Sequence, residues 1–465
     1  PCMGAVLHPI NVRLFPDQIT HIISHAEDKV VFLDDDLIPL VENLKNELKT
    51  VETYAIMSDK ANVPKTILEP SYEYESLLRR APSRFEWPEF DENTLATLNY
   101  TTGTTGEPKG ACFTHRMLFL HTLITTLPEA FRITRYDTVL HIVPMFHAHS
   151  WGLPYDSTLV GAKQVFPGRF EIEAMMELIQ REKVTVTGAV PTVYAMMLEL
   201  PEADKYDLSS LKYAFSGGAP TSAGLIKAFR EKFGVQLIAS YGLTETCPVL
   251  TKAHLKPHMT DWAIQKKDEV HSKTGLPLPG LDLKVVNEQG EEIPHDGKTI
   301  GEIIVRGPHV TAAYYRNPER TAASWDKHGY FHTGDAAVID DEGYITIVDR
   351  YKDIIRSGGE IVPSTLIDRV IEQHPAVAYC ATIAMPDQKW GERPLACVVL
   401  KSECKGKATE KEIRKFCEGK MPKWQIPDLV LFLDSIPMTS TGKKNKRLLR
   451  DKKVWERRSR TAADL

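Results

Sequence analysis

Phe170-Glu-Ile-Glu-Ala-Met-Met-Glu-Leu-Ile-Gln-Arg-Glu-Lys-Val-Thr-Val-Thr187 changes its period partway along. Through Lys183 the apolar residues Ile172, Met175, Met176 and Ile179 fall on one face of a helix. Val184-Thr-Val-Thr187 is then a β-branched run suited to a strand. The same switch recurs on both sides. Upstream, strands are expected at Leu95–Asn99, Ala111–Phe113 and Thr138–Pro144, with a helix over Arg116–Phe131. Downstream, a helix from Thr192, a strand at Tyr213–Phe215, a helix over Pro220–Phe233 and a strand at Val235–Ser240 complete the run. Such alternation predicts an α/β architecture, a mostly parallel sheet covered by helices on both faces.

After Gly275 the character changes. Short strands at Gly301–Arg306, Ala337–Ile339 and Tyr344–Val348, separated by Gly, Asp and Pro, suggest a small β subdomain. Asp349 to Ser357 is a charged connector. Beyond it a helix (Thr365–His374), strands (Val377–Ala384, Leu395–Leu400), a helix (Glu410–Glu418) and a strand (Leu429–Leu433) make a compact α+β unit. The expected organisation is a large unit over 1–349 and a small mobile one over 350–465.

The 465 residues carry 57 Lys+Arg against 62 Asp+Glu, a net charge of −5 that gives no general reason to bind nucleic acid. Seven cysteines without a CxxC pair fit free thiols in a reducing cytoplasm better than disulfides or structural zinc. No segment reads as a membrane span or a leader peptide.

Chemistry is concentrated at a few places. Tyr100-Thr-Thr-Gly-Thr-Thr-Gly-Glu-Pro-Lys-Gly110 offers hydroxyls at Thr101, Thr102, Thr104 and Thr105, glycines at Gly103 and Gly106, and the charge of Lys109. Backbone N–H groups and hydroxyls of such a loop can wrap phosphate, although it is not GxxxxGK[ST]. In Tyr241-Gly-Leu-Thr-Glu-Thr246 the ring of Tyr241 can stack on a purine, Thr244 can bond a phosphate oxygen, and Glu245 is a hard ligand for Mg²⁺. A plain strand-to-turn junction with capping residues is the bland alternative. Gly217, Gly218 and Ala219 follow a strand and open a helix, so their backbone can lie against a base. His141, His147 and His149 lack an acidic or thiol partner at metal-site spacing.

With Tyr330-Phe-His-Thr-Gly-Asp335, Asp349-Arg-Tyr-Lys-Asp353, Ser357-Gly-Gly-Glu360 and Thr441-Gly-Lys443, these segments resemble the adenylate-forming superfamily of acyl-CoA synthetases, luciferases and peptide-synthetase adenylation domains. With Asp349–Asp353 and Ser357–Glu360 taken together, five motifs stand in the family's order across almost the whole chain. Val143-Pro-Met-Phe-His-Ala-His-Ser-Trp151 and Gly161-Ala-Lys-Gln-Val-Phe-Pro-Gly168 are most similar to bacterial and archaeal medium- or long-chain fatty acyl-CoA synthetases. The first residues, Gly4 to Arg13, resemble an internal segment of that family, so an N-terminal portion is expected to be missing here.

The resemblance implies MgATP-dependent ligation of a fatty acid to CoA through acyl-AMP, releasing pyrophosphate and then AMP. Thr104 and Glu245 would hold Mg²⁺. Asp335 and Arg350 would hold the ribose, with Gly242 and Arg356 nearby. Lys443 would stabilise charge on the α-phosphate and carboxylate. His147 would border the acyl pocket and Trp151 would gate it. Gly358, Gly359 and Glu360 would line the pantetheine path, and Lys352 would be the hinge between two domain orientations. Arg356 and Ile361 depart from the lysine and tryptophan of many relatives. The remaining tail, Lys444 onward, is read as solvated, since ten of the eighteen residues from Lys443 to Arg460 are Lys or Arg. Partners are then fatty acid, ATP and CoA in the cytoplasm, with a homodimer allowed. An aryl- or other carboxylic-acid:CoA ligase and a catalytically silent nucleotide-binding protein are the alternatives.

Overall fold

A computed structural model describes residues 1–60, 64–101, 108–438 and 444–459. The central sheet has seven strands in the order Leu276–Pro277, Val249–Lys252, Leu237–Gly242, Tyr213–Ser216, Val186–Ala189, Thr138–Leu140 and Lys163–Val165. The last five run parallel, and the two at the other edge are antiparallel. Met175, Met176 and Ile179 of helix Ile172–Glu182 are buried on one face of the sheet with Tyr194 and Phe229 from the helices Pro191–Glu199 and Ala223–Phe233. Phe131, Leu153 and Phe215 fill the other face.

Two expectations need correction. Leu95–Thr101 and Lys109–Thr114 do not open the parallel sheet. They pair with each other, antiparallel, with Tyr100 opposite Gly110 and Thr101 opposite Lys109. The seven residues between them are too few for the crossover helix that parallel strands require. The helix expected over Arg116–Phe131 runs only over His115–Thr125. Thr122 and Thr125 hydroxyls donate back to the carbonyls of Leu118 and His121, and Pro128 follows.

The first 94 residues, to which periodicity assigns no element, contain three parallel strands, Val30–Asp34, Thr53–Met57 and Ser71–Glu73, with the helices Pro16–Ala26 and Ile38–Leu44. Asp282–Val286, Gly301–Arg306, Phe331–Ile339 and Ile345–Arg350 form an antiparallel sheet with a core of Val285, Ile303, Ala337 and Ile345. After the connector, five strands (Ile355–Ser357, Glu360–Val362, Val377–Asp387, Gly391–Leu400, Leu429–Phe432) carry their own core with the helices Ser364–Glu372 and Glu410–Cys417. Among the described residues no helix is long and apolar enough to cross a membrane.

Candidate active site

The junction of the central sheet with the antiparallel sheet gathers most of the nucleotide candidates. Asp335 and Arg350 are cross-strand partners, and the Arg350 guanidinium lies 3.0 Å from the Asp335 carboxylate. The Asp335 side chain is only 8% exposed, so this is not a solvated surface pair. Tyr241, at the end of Leu237–Gly242, donates its hydroxyl to the other Asp335 oxygen at 2.6 Å. Burial and the Asp335 charge push the Tyr241 phenol well above its ordinary pKa, so it stays a donor. Gly242 is fixed by packing, since a Cβ there would stand 1.7 Å from the Pro248 carbonyl oxygen.

Glu245 follows in the short turn Thr244–Thr246 and is buried. One of its carboxylate oxygens accepts the Tyr314 hydroxyl at 2.7 Å, and its backbone carbonyl accepts the Thr311 N–H at 2.8 Å. Lys109 places its ammonium 4.8 Å from the centre of the same Tyr314 ring. Burial, then Arg320 and Lys352, lower the Lys109 pKa, and Glu245 opposes them. Tyr314 therefore ties the lysine at the exit of the Thr/Gly loop to the carboxylate assigned to metal. The sequence reading missed this residue; its signal is the turn Tyr314-Tyr-Arg-Asn-Pro318, whose Asn317 caps the helix Pro318–Ala322. Thr101, opposite Lys109, pins the other end of that loop. Thr102, Gly103, Thr104, Thr105 and Gly106 lie outside the described residues, as does Lys443.

Trp151 and the glycines of the proposed adenine surface come together. A Cβ on Gly217 would lie 3.2 Å from the Trp151 indole, and one on Gly218 3.8 Å from it. Gly188 is as close, at 3.3 Å. The indole is carried by an unusual backbone: Ala148, His149, Ser150, Trp151 and Gly152 all have positive φ, from 43° to 82°. A left-handed run costs non-glycine residues about 1–2 kcal/mol each. Buried polar groups lie under it. His149 Nε2 faces the Asn99 amide at 3.1 Å, and a Cβ on Gly152 would collide with the His121 ring at 2.6 Å. Burial holds His149 and His309 down to about 4 and His121 well below 6.5. Ala219 is exposed beyond this contact.

The three histidines of the acyl segment go separate ways. His141 is buried and stacked on Phe166, His149 is buried, and His147 is exposed against Phe146. Near the connector, Lys352 is exposed and Arg356 pairs with Glu288 at 3.1 Å while lying over the Tyr351 ring. Gly358 serves packing, because the Trp390 ring would be 2.6 Å from its Cβ; Gly359 has open space and Glu360 is exposed.

The solvated reading of the tail fails at Lys444, Lys446 and Arg450, while Lys452 and Lys453 are exposed. Lys446–Asp451 is a helix, and Lys446 is buried, 2.7 Å from Asp368. Lys444 meets Glu372 at 2.6 Å, and Arg450 pairs closely with Asp353 of the connector. The predominance of basic residues hides this, because the neutralising carboxylates come from elsewhere in the chain.

Comparison with known proteins gives a consistent picture. A family model described as AMP-binding enzyme matches residues 2–315, and one described as AMP-binding enzyme C-terminal domain matches residues 366–443. A long-chain-fatty-acid–CoA ligase of Thermus thermophilus is 43% identical over 97% of this chain and 81% of its own length. A 3-methylmercaptopropionyl-CoA ligase of Ruegeria lacuscaerulensis is 38% identical (96% of this chain, 82% of its own), and a medium-chain-fatty-acid–CoA ligase of Ectopseudomonas oleovorans 36% (97% and 82%). The structure of the O-succinylbenzoate coenzyme A synthetase of Bacillus subtilis, in complex with ATP and magnesium ion, superposes with a TM-score of 0.75 at 26% identity, covering 96% of this chain and 84% of that one.

Proposed function

The chain belongs to the AMP-binding enzyme family and is an ATP-dependent, AMP-forming acyl-CoA synthetase, and from that premise we propose that its acid is a medium- or long-chain fatty acid. The observation that carries the substrate reading is the likeness to the Thermus ligase over nearly the whole chain. The division at Arg350 into an adenylation unit and a mobile C-terminal unit, and a cytoplasmic location, belong to the same reading.

The site residues take the following roles. Asp335 accepts the ribose hydroxyls, with its carboxylate aimed by Tyr241 and Arg350. The Gly217–Ala219 backbone supports the base. Lys109 and the Thr101–Thr105 hydroxyls hold the outer phosphates. Glu245 fits Mg²⁺, because it is a buried carboxylate with a neutral phenol on one oxygen and, among the described residues, no cation paired to it in a salt bridge. With Thr104 it would hold the ion, which neutralises phosphate charge when bound. The fatty carboxylate attacks the α-phosphorus, the bond to pyrophosphate breaks, and CoA thiolate then displaces AMP from the acyl carbon. Lys443 stabilises charge in the first step, and no protein nucleophile is needed.

The similarity to the 3-methylmercaptopropionyl-CoA ligase favours a second reading, a short thioether acid. CoA-dependent AMP formation across straight-chain acids from C4 to C18, 3-methylmercaptopropionate and benzoate decides between them. A maximum at medium or long chains supports the proposal. Preference for either of the other acids overturns it.

A further inference from the structure

The helix Ser364–Glu372 begins the C-terminal unit without a cap of its own. Its N-cap position is Pro363, which has no hydrogen-bonding side chain. The missing acceptor comes from Asp349, three residues before Lys352 on the strand Ile345–Arg350. One Asp349 oxygen accepts the Ser364 N–H at 2.5 Å, the Ser364 hydroxyl at 2.7 Å and the Thr365 N–H at 3.2 Å. Asp349 is 5% exposed and Ser364 is fully buried. Lys446 closes the arrangement, donating to the Ser364 hydroxyl at 2.6 Å and pairing with Asp368. The Thr365 hydroxyl also donates to the Val348 carbonyl.

These contacts cross Lys352. Rotation there carries Ser364, Thr365 and Lys446 away from Asp349. It strips two helix N–H groups and a hydroxyl of their acceptor and leaves that carboxylate oxygen without its donors, the other keeping the Arg350 N–H, and unmade hydrogen bonds of this kind are costly. We propose that Asp349 is a positioning residue, a latch that caps the C-terminal unit's first helix across the pivot and so sets the partition between the two domain orientations. This rests on the reading above that the two half-reactions use different orientations about Lys352.

Two variants weaken the latch by different routes. Asp349→Asn removes the charge. Pro363→Ser gives the helix its own cap, since the backbone there (φ −65°, ψ 122°) is the extended conformation of an N-cap serine. In each, adenylation is measured by acid-dependent ATP–pyrophosphate exchange and thioesterification from supplied acyl-AMP and CoA. The ratio of the two rates should move in the same direction in both variants by at least about threefold. Pro363→Ser should keep the melting temperature, and adding it to Asp349→Asn should restore stability without restoring the ratio. A smaller shift, shifts in opposite directions, or parallel loss of both activities overturns the latch. Lys352→Pro separates the two ideas. A changed ratio there alone refutes the latch and leaves alternation standing, whereas an unchanged ratio in all three variants refutes both.

Discussion

The proposed ribose end of the site and the turn that carries Trp151 are built on opposite principles. Around Asp335, each named group has a partner: Tyr241 donates to it, Arg350 pairs with it, and Glu245 nearby takes the Tyr314 hydroxyl. These side chains sit on strands and a short turn between two packed sheets, so they are placed before any ligand arrives. Around Ala148–Gly152 the backbone is left-handed, and His121 Nε2, His149 Nδ1, His309 Nδ1, Ser150 Oγ and Asp156 Oδ2 are buried without a hydrogen-bond partner among the described residues. The difference teaches that order and strain are separately placed. The nucleotide is the same in every turnover and suits a finished site, whereas a side chain proposed to gate the acyl pocket needs a second position to move to.

The strongest way to break this comparison is Asp335→Ala. It leaves the Arg350 guanidinium and the Tyr241 hydroxyl without their shared acceptor. The KM for ATP in the adenylation half-reaction should rise on the order of 100-fold, about 2.7 kcal/mol. Tyr241→Phe, which removes one neutral donor, should cost only about 1–2 kcal/mol in the same assay. Equal, small effects from both would mean that Asp335 does not face the ribose.

Acid distinguishes the regions next. His121, His149 and His309 have folded pKa values below the ordinary 6.5 because burial penalises their charged forms. The unfolded chain therefore binds more protons below that pH. Stability is intact above about pH 6.5 and falls as pH drops toward 4, by about 2 kcal/mol at pH 5 for each of His149 and His309, and His121 acts in the same direction. Buried Asp156 opposes this, since its raised pKa favours the folded state as protons are added. Melting followed from pH 7.5 to 5 should fall steeply, and more steeply in Asp156→Asn. A flat profile would show that these imidazoles are not buried as described.

The smallest expected effect is a gain. Ser150 has φ 54° and a buried hydroxyl without a partner among the described residues. Ser150→Gly should raise stability by about 1 kcal/mol in chemical denaturation. A loss would mean that the left-handed turn is not strained at this position.

Much of this was legible in the residues because the signals are local. The parallel run from Thr138 to Ser240 shows in its period, and Asp335, Glu245 and Lys109 stand in short motifs. What escaped depends on distant partners. Tyr314 joins Lys109 to Glu245 only because the chain returns from the antiparallel sheet to bridge Ala111. Lys446 looks solvated until Asp368 and Ser364 are brought to it. The pairing of Leu95–Thr101 with Lys109–Thr114 was misassigned because periodicity names a strand without naming its neighbour.

The seat of the Trp151 indole on Gly217 and Gly218 has a thermodynamic consequence. If one glycine surface serves either the indole or the base, nucleotide and gate position are linked functions, and each must oppose the other by the same factor. The measured nucleotide affinity is then the intrinsic one reduced by the fraction of molecules whose indole has left its seat. Cutting the side chain back to alanine should tighten nucleotide binding by the reciprocal of that fraction, so a titration of Trp151→Ala against the parent chain reads out the resting population of the gate.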